Sequence, residues 1–142
     1  MTKQVWITLR ATIDRPGLAQ EKTEERVPGE LSEDGDGGWL ISYDEPEHSG
    51  LVGNRTTLRL APGQAELHRE GTSRCTLHFR EGERCPSYYN MPLGRLTGIV
   101  EAHRVRVRMD SRGGIAELRY RMELEGLGES EHCLRVLVRE ET

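Results

Sequence analysis

The stretch Thr56-Thr57-Leu58-Arg59-Leu60-Ala61-Pro62-Gly63-Gln64-Ala65-Glu66-Leu67-His68-Arg69 reads as two strands around one tight turn. Pro62 presets φ for the first central position of such a turn, and Gly63 accepts the positive φ of the second. A two-residue tip fixes the register: Leu60 opposite Ala65, Leu58 opposite Leu67, Thr56 opposite Arg69. All three pairs lie on the apolar face. The alternation that buries Leu58 and Leu67 therefore sends Arg69 inward as well, and a buried guanidinium needs a partner.

The preceding strand supplies one. Trp39-Leu40-Ile41-Ser42-Tyr43-Asp44-Glu45 alternates, with Trp39, Ile41, Tyr43 and Glu45 on one face. A carboxylate thus follows the apolar side chains inward, and Glu45 and Arg69 are expected to pair, with tyrosine hydroxyls satisfying the remaining oxygens and N–H groups.

The same period of two recurs outward in both directions. Gln4–Ile13 places Val5, Ile7, Leu9, Ala11 and Ile13 on one face before a turn at Asp14-Arg15-Pro16-Gly17. Gln20–Glu33 is acidic and broken by Pro28-Gly29, which predicts a weak strand with a bulge or bend. Asp34-Gly35-Asp36-Gly37-Gly38 is a turn; it lacks the alternating oxygen ligands, distal Glu and flanking helices of a calcium loop. A loop follows over residues 46–53. Cys75, Leu77 and Phe79 define a strand that turns at Glu81-Gly82-Glu83 and returns through Arg84–Met91 with Tyr88 and Tyr89. After Met91-Pro92-Leu93-Gly94 comes a short strand through Leu96, Gly98 and Val100.

Arg104–Asp110 and Ile115–Glu125 flank a turn centred on Arg112-Gly113, which predicts Met109 opposite Ala116, Val107 opposite Leu118 and Val105 opposite Tyr120. A last hairpin at Gly126-Leu127-Gly128 sets Leu134, Val136 and Val138 against Met122, Tyr120 and Leu118. No segment carries helical periodicity over about ten residues. An up-and-down meander of this kind leaves long edges unless it closes, so the expected fold is all-β, a single antiparallel barrel of about eight to ten strands occupying residues 1–142.

Composition agrees with that reading. The chain of 142 residues has an apolar fraction of 35% and a charged fraction of 31%, suited to a thin solvated shell. Its net charge of −4 gives no overall reason to expect nucleic acid or an anionic membrane as partner. Cys75, Cys85 and Cys133 show no paired spacing, and Cys75 and Cys85 are out of register for a disulfide. With no apolar leader at the N-terminus and no apolar run near the roughly 20 residues of a membrane span, the expectation is a cytoplasmic protein with reduced thiols.

The series Ile41-x-Tyr43-x-Glu45, Thr56-Thr57-Leu58, Leu67-x-Arg69-x-Gly71, Leu77-x-Phe79, Tyr89 with Pro92 and Gly94, and Leu118-x-Tyr120 resembles the YwiB-like family of uncharacterised bacterial proteins. The resemblance runs from about Val5 to Val138 and implies a calycin-like, lipocalin-like β-barrel with no established activity. The second strand is more acidic here than the family pattern.

Two candidate sites follow. The first is the inward-facing set Tyr43, Glu45, Thr56, Arg69 and Tyr89. It is either a grip for a small anionic ligand, with Arg69 taking a carboxylate or phosphate, or a self-satisfied plug that fixes register. The second is an arginine-rich outer face of Arg104, Arg106, Arg108, Arg119, Arg121 and Arg135, suited to a protein or RNA partner or to a homodimer contact. There Arg106 is expected opposite Arg119 and Arg104 opposite Arg121, like charges that carboxylates such as Glu117 or Glu123, a partner chain or a track of nucleic-acid phosphates would offset. His48, His68, His78, His103 and His132 have no metal-ligand spacing, and most of them alternate outward. No nucleophile elbow, phosphate-binding loop or dinucleotide fingerprint is present. The expectation is therefore a binding protein without cofactor, not an enzyme.

Overall fold

A computed structural model of the chain describes residues 2–35, 37–46, 53–91 and 94–141. The elements are β1 (Lys3–Asp14), β2 (Glu21–Asp34), β3 (Gly38–Asp44), β4 (Arg55–Ala61), β5 (Gln64–Glu70), β6 (Arg74–Arg80), β7 (Arg84–Met91), β8 (Gly94–Asp110), β9 (Gly113–Leu124) and β10 (Gly128–Glu140). Each pairs antiparallel with the next, and β10 returns to β1, so the sheet closes into a ten-stranded barrel. Closure pairs the two long edges that the meander would otherwise expose. Parts of the loop expected over residues 46–53 and of the turn at Met91–Gly94, with Asp36 and His48, lie outside the described residues.

The Pro62-Gly63 hairpin has the expected register, Leu60 with Ala65, Leu58 with Leu67 and Thr56 with Arg69, and Gly63 has φ of 73°. Because β3, β4, β5 and β6 share this alternation, their inward side chains stack in tiers. The lowest runs Trp39, Leu60, Ala65, Phe79, and the next Ile41, Leu58, Leu67, Leu77. From the far wall, Val105, Ala116, Leu118, Val136 and Val138 complete the core. Ile41, Leu58, Leu60 and Leu118 are wholly buried, so side chains fill the middle of the barrel.

Three details of the sequence reading change. First, β2 carries no bulge. Pro28 pairs with Trp6 and Gly29 with Val5 in unbroken register, while pairing with β3 begins only at Glu30 and Ser42. Pro28 lies on the part of β2 that the β3 pairing does not reach, an open edge where proline is tolerated. Gly29 is required by packing: a Cβ there would stand 2.4 Å from Ile7 Cδ1 and 2.6 Å from the Ser42 carbonyl oxygen.

Second, the segments expected as a short strand before Val100 and another from Arg104 form one strand, β8, with a register shift between Ala102 and Arg104. Ala102 and Val105 both face the core across this bulge.

Third, the β8–β9 and β9–β10 hairpins close one or two residues earlier than expected. Met109 faces Gly114, Val107 faces Ala116 and Val105 faces Leu118. The tip is Ser111-Arg112, because Asp110 Oδ1 accepts the Arg112 N–H at 2.8 Å and so builds the turn itself. Gly113 and Gly114 serve the strand instead: a Cβ would lie 2.1 Å from the Val138 oxygen at Gly113 and 2.0 Å from the Arg108 oxygen at Gly114. At the next tip Leu127 N–H donates to the Leu124 oxygen at 3.0 Å, Gly126 has φ of 79°, and Leu134, Val136 and Val138 face Leu118, Ala116 and Gly114.

Candidate functional site

The third tier is polar. Tyr43 on β3, Thr56 on β4, Arg69 on β5, Cys75 on β6 and Tyr89 on β7 are consecutive register partners, so one inward row crosses five strands. Glu45 follows β3 by one residue and is held there by its own N–H, which donates to the Asn54 oxygen at 2.9 Å. All five residues expected to form the site are therefore brought together, and Cys75 joins them.

Thr56 is the hub. Its hydroxyl donates to Glu45 Oε1 at 2.6 Å and accepts from Arg69 Nε at 3.2 Å. Arg69 Nη2 reaches the same Glu45 oxygen only at 3.5 Å. The Glu45 side chain is 6% exposed and that of Arg69 18% exposed, so the carboxylate is sealed while the guanidinium touches solvent. An Arg–carboxylate pair at full strength is bidentate with shorter bonds, and this one is neither.

The phenols around the pair stay protonated. Burial raises the Tyr43 pKa well above the ordinary tyrosine value, and the Glu45 carboxylate adds to it. Burial likewise raises Tyr89 and Tyr120, with the Arg69 charge opposing it in both. Tyr89 donates its hydroxyl to the Met122 sulfur at 3.3 Å, a weak acceptor. Burial also pushes the Cys75 thiol up, which argues against a nucleophilic thiolate there. Ser87, the next inward residue on β7, is wholly buried and its hydroxyl has no hydrogen-bond partner among the described residues. A depression of about 210 Å³ outside β5, β6 and β7 is bordered by His68, Arg69, Cys75 and Tyr88.

Sequence reasoning set Tyr120 inward and weighed His132 only as a metal ligand, and it took neither as a site residue. Tyr120 on β9 stands opposite His132 on β10, and their rings stack at 4.8 Å with 4° between planes. Ser130 Oγ lies 2.6 Å from His132 Nε2. Burial, helped by the Arg15 charge, lowers the His132 pKa to about 4, so the imidazole is neutral at pH 7. The signal was available: His132 is two residues from Leu134, hence on the inward face.

On the outer face the expected oppositions shift by two residues. Arg104 faces Arg119, and Arg106 faces Glu117. The expected offset by carboxylates is present. Glu117 lies 3.6 Å from Arg104, 3.2 Å from Arg119 and 3.1 Å from Arg135. Arg121 pairs with Glu123 at 3.4 Å and with Glu129. Among the described residues no group of three metal-ligating side chains converges. Nor is any described helix long and apolar enough to cross a membrane.

Fold and site together define a small closed antiparallel barrel whose apolar middle is filled and whose one end carries an Arg–Glu–Thr–Tyr tier, a form that fits the calycin-like barrel. The chain belongs to the family described as Domain of unknown function (DUF1934), whose model matches residues 7–136. Among solved structures it is similar to the ywiB protein from Bacillus subtilis, with 20% sequence identity over 99% of this chain and 94% of that one and a TM-score of 0.87. At that identity the likeness establishes the fold. No curated protein matches the chain.

Proposed function

We propose that the protein binds a small anionic molecule, one bearing a carboxylate or phosphate, at the polar end of the barrel, and acts there as a binder and not as an enzyme. The observation that carries this reading is the incomplete satisfaction of Arg69. Its guanidinium is turned inward, yet its two side-chain contacts among the described residues are 3.2 and 3.5 Å long, and the Glu45 carboxylate is bonded at 2.6 Å to Thr56. A plug evolved only to neutralise itself would close the Arg–carboxylate pair. An incoming anion would meet the open side of the guanidinium, and the protonated tyrosines supply further donors. Because the tiers below are filled, the ligand sits at the barrel end and not along its axis. Three free thiols suit a reducing compartment such as the cytoplasm.

The test is thermal unfolding against a panel of small carboxylates and phosphates. At a concentration of about 100 Kd a ligand adds about 2.7 kcal/mol to the stability of the folded state. At least one such compound should raise the Tm of the wild type and leave the Arg69→Met variant unmoved. If none does, and Glu45→Gln alone collapses the Tm, the tier is a structural plug.

A further inference from the structure

The observed registers align the outward side chains of β8, β9, β10, β1 and β2 in rows that the sequence pattern shows only in part. One row runs Arg108, Ile115, Leu137, Thr8, Arg26. The next runs Arg106, Glu117, Arg135, Arg10, Glu24, and the third Arg104, Arg119, Cys133, Thr12, Lys22. Eight of these side chains are cationic and two are carboxylates, an excess of six positive charges on one face of a chain whose net charge is −4. Past the third row the sign reverses, with Arg121, Glu131 and Asp14 in register. The positive charge is therefore concentrated, not merely abundant.

Its neutralisation within the protein is incomplete. Glu117 serves three arginines and Glu24 holds Arg10 at 3.1 Å. Among the described residues Arg106, Arg108 and Lys22 enter no ion pair, and Arg26 lies over the Trp6 ring at 4.6 Å. Arg104 faces Arg119 and Arg10 faces Arg135 directly, placements that weaken a sheet and that folding alone does not call for.

We propose that this face binds single-stranded nucleic acid through its phosphates, with little sequence preference. The cations stand roughly 5 Å apart across strands and about 7 Å apart along them, a lattice suited to a polymer of closely spaced phosphates. The outside of a barrel is convex, so a flexible single strand can follow it where a rigid duplex or a folded acidic protein touches only a few residues. The row of Ile115, Leu137 and Thr8, ending at the Trp6–Arg26 stack, offers bases an apolar path between the charges. A bilayer is less well served, because Leu137 and Trp6 are half-buried and cannot insert. This proposal is independent of the interior site.

Fluorescence anisotropy with a labelled mixed-sequence RNA of about 20 nucleotides tests it. Wild-type protein should bind saturably in about 50 mM salt, and with four phosphates engaged the affinity should fall about fifty-fold by about 200 mM. The combined Arg26→Glu, Arg106→Glu and Arg108→Glu variant, which breaks no ion pair among the described residues and whose fold is checked by its Tm, should bind at least about tenfold more weakly. Glu117→Gln should bind several-fold more tightly, since it releases three arginines. Arg74→Glu with Arg80→Glu, on β6, should change nothing. The idea is overturned if wild type fails to bind in low salt, if the β6 variant loses as much as the triple variant, or if vesicles containing phosphatidylserine bind while RNA does not.

Discussion

Arg69 and Glu45 meet through a single atom pair, Nη2 to Oε1 at 3.5 Å, while both are bonded more closely to Thr56. The charges are therefore linked through a hydroxyl and not locked fork to fork. That arrangement keeps the carboxylate sealed and lets the guanidinium retain an open side, at the end of the barrel where its side chain is still partly in solvent.

Glu45→Gln tests how much the charge pair contributes to folding. Breaking a well-closed buried ion pair costs about 3–5 kcal/mol. Here the contact is long, the arginine is partly hydrated, and the glutamine carbonyl can still accept from Thr56. The expected loss is about 1 kcal/mol by urea denaturation, with tighter binding of small anions because a competing carboxylate is gone. A loss of the full size would mean that the pair is the structural plug.

Thr56→Val removes the hub while keeping the shape of the side chain. Glu45 loses its 2.6 Å bond from the hydroxyl and Arg69 its Nε acceptor, in a position that is wholly buried. An unsatisfied buried polar group costs about 1–3 kcal/mol, so this apparently conservative change should destabilise the protein more than Glu45→Gln does. Comparing the two denaturation midpoints decides the order.

The glycines that looked like turn residues at 113 and 114 are packing residues. Gly114→Ala would drive a Cβ to 2.0 Å from the Arg108 oxygen at a φ of 150°, so the expected result is a loss above about 3 kcal/mol or failure to fold. Gly37→Ala, at a φ of 80° with open space around it, should lose only about 1 kcal/mol. Expression yield and thermal midpoint of the two variants provide the comparison.

Much of the barrel was legible because a period of two, a Pro-Gly tip and one inward arginine are local signals. They placed Tyr43, Glu45, Thr56, Arg69 and Tyr89 on one face, and the tier contains all five. Registers beyond the β4–β5 hairpin were harder for a physical reason. At Asp110 the turn is made by a side chain accepting a backbone N–H, so the adjacent glycines were free for close strand contact, and glycine composition alone does not distinguish the two uses. The error preserved which face each residue takes but moved its neighbours, which is why the cation rows reaching Arg10, Arg26 and Lys22 were invisible until strand pairing was known.

The three thiols should separate in reactivity. Cys75 is buried in the polar tier with its pKa raised by burial, whereas Cys85 and Cys133 are half-buried. Timed reaction with a chromogenic disulfide should label those two in the native protein and Cys75 only on unfolding. Rapid labelling of all three would show that the barrel end opens readily.

His132 gives the protein an acid sensitivity of defined sign. Its pKa is lowered by burial to about 4 from an ordinary 6.5, so the unfolded chain takes up a proton at higher pH than the folded one does. Stability from this group is complete above pH 6.5, is lost as pH falls toward 4, and changes no further below that. Allowing for the partial exposure of the ring, the loss is about 1 kcal/mol. His132→Phe keeps a ring stacked on Tyr120 and has nothing to titrate. Its Tm should fall less steeply than wild type between pH 6.5 and 4, while above pH 7 the two curves run parallel. Parallel curves throughout would mean that the imidazole titrates as freely in the folded protein as in the unfolded chain.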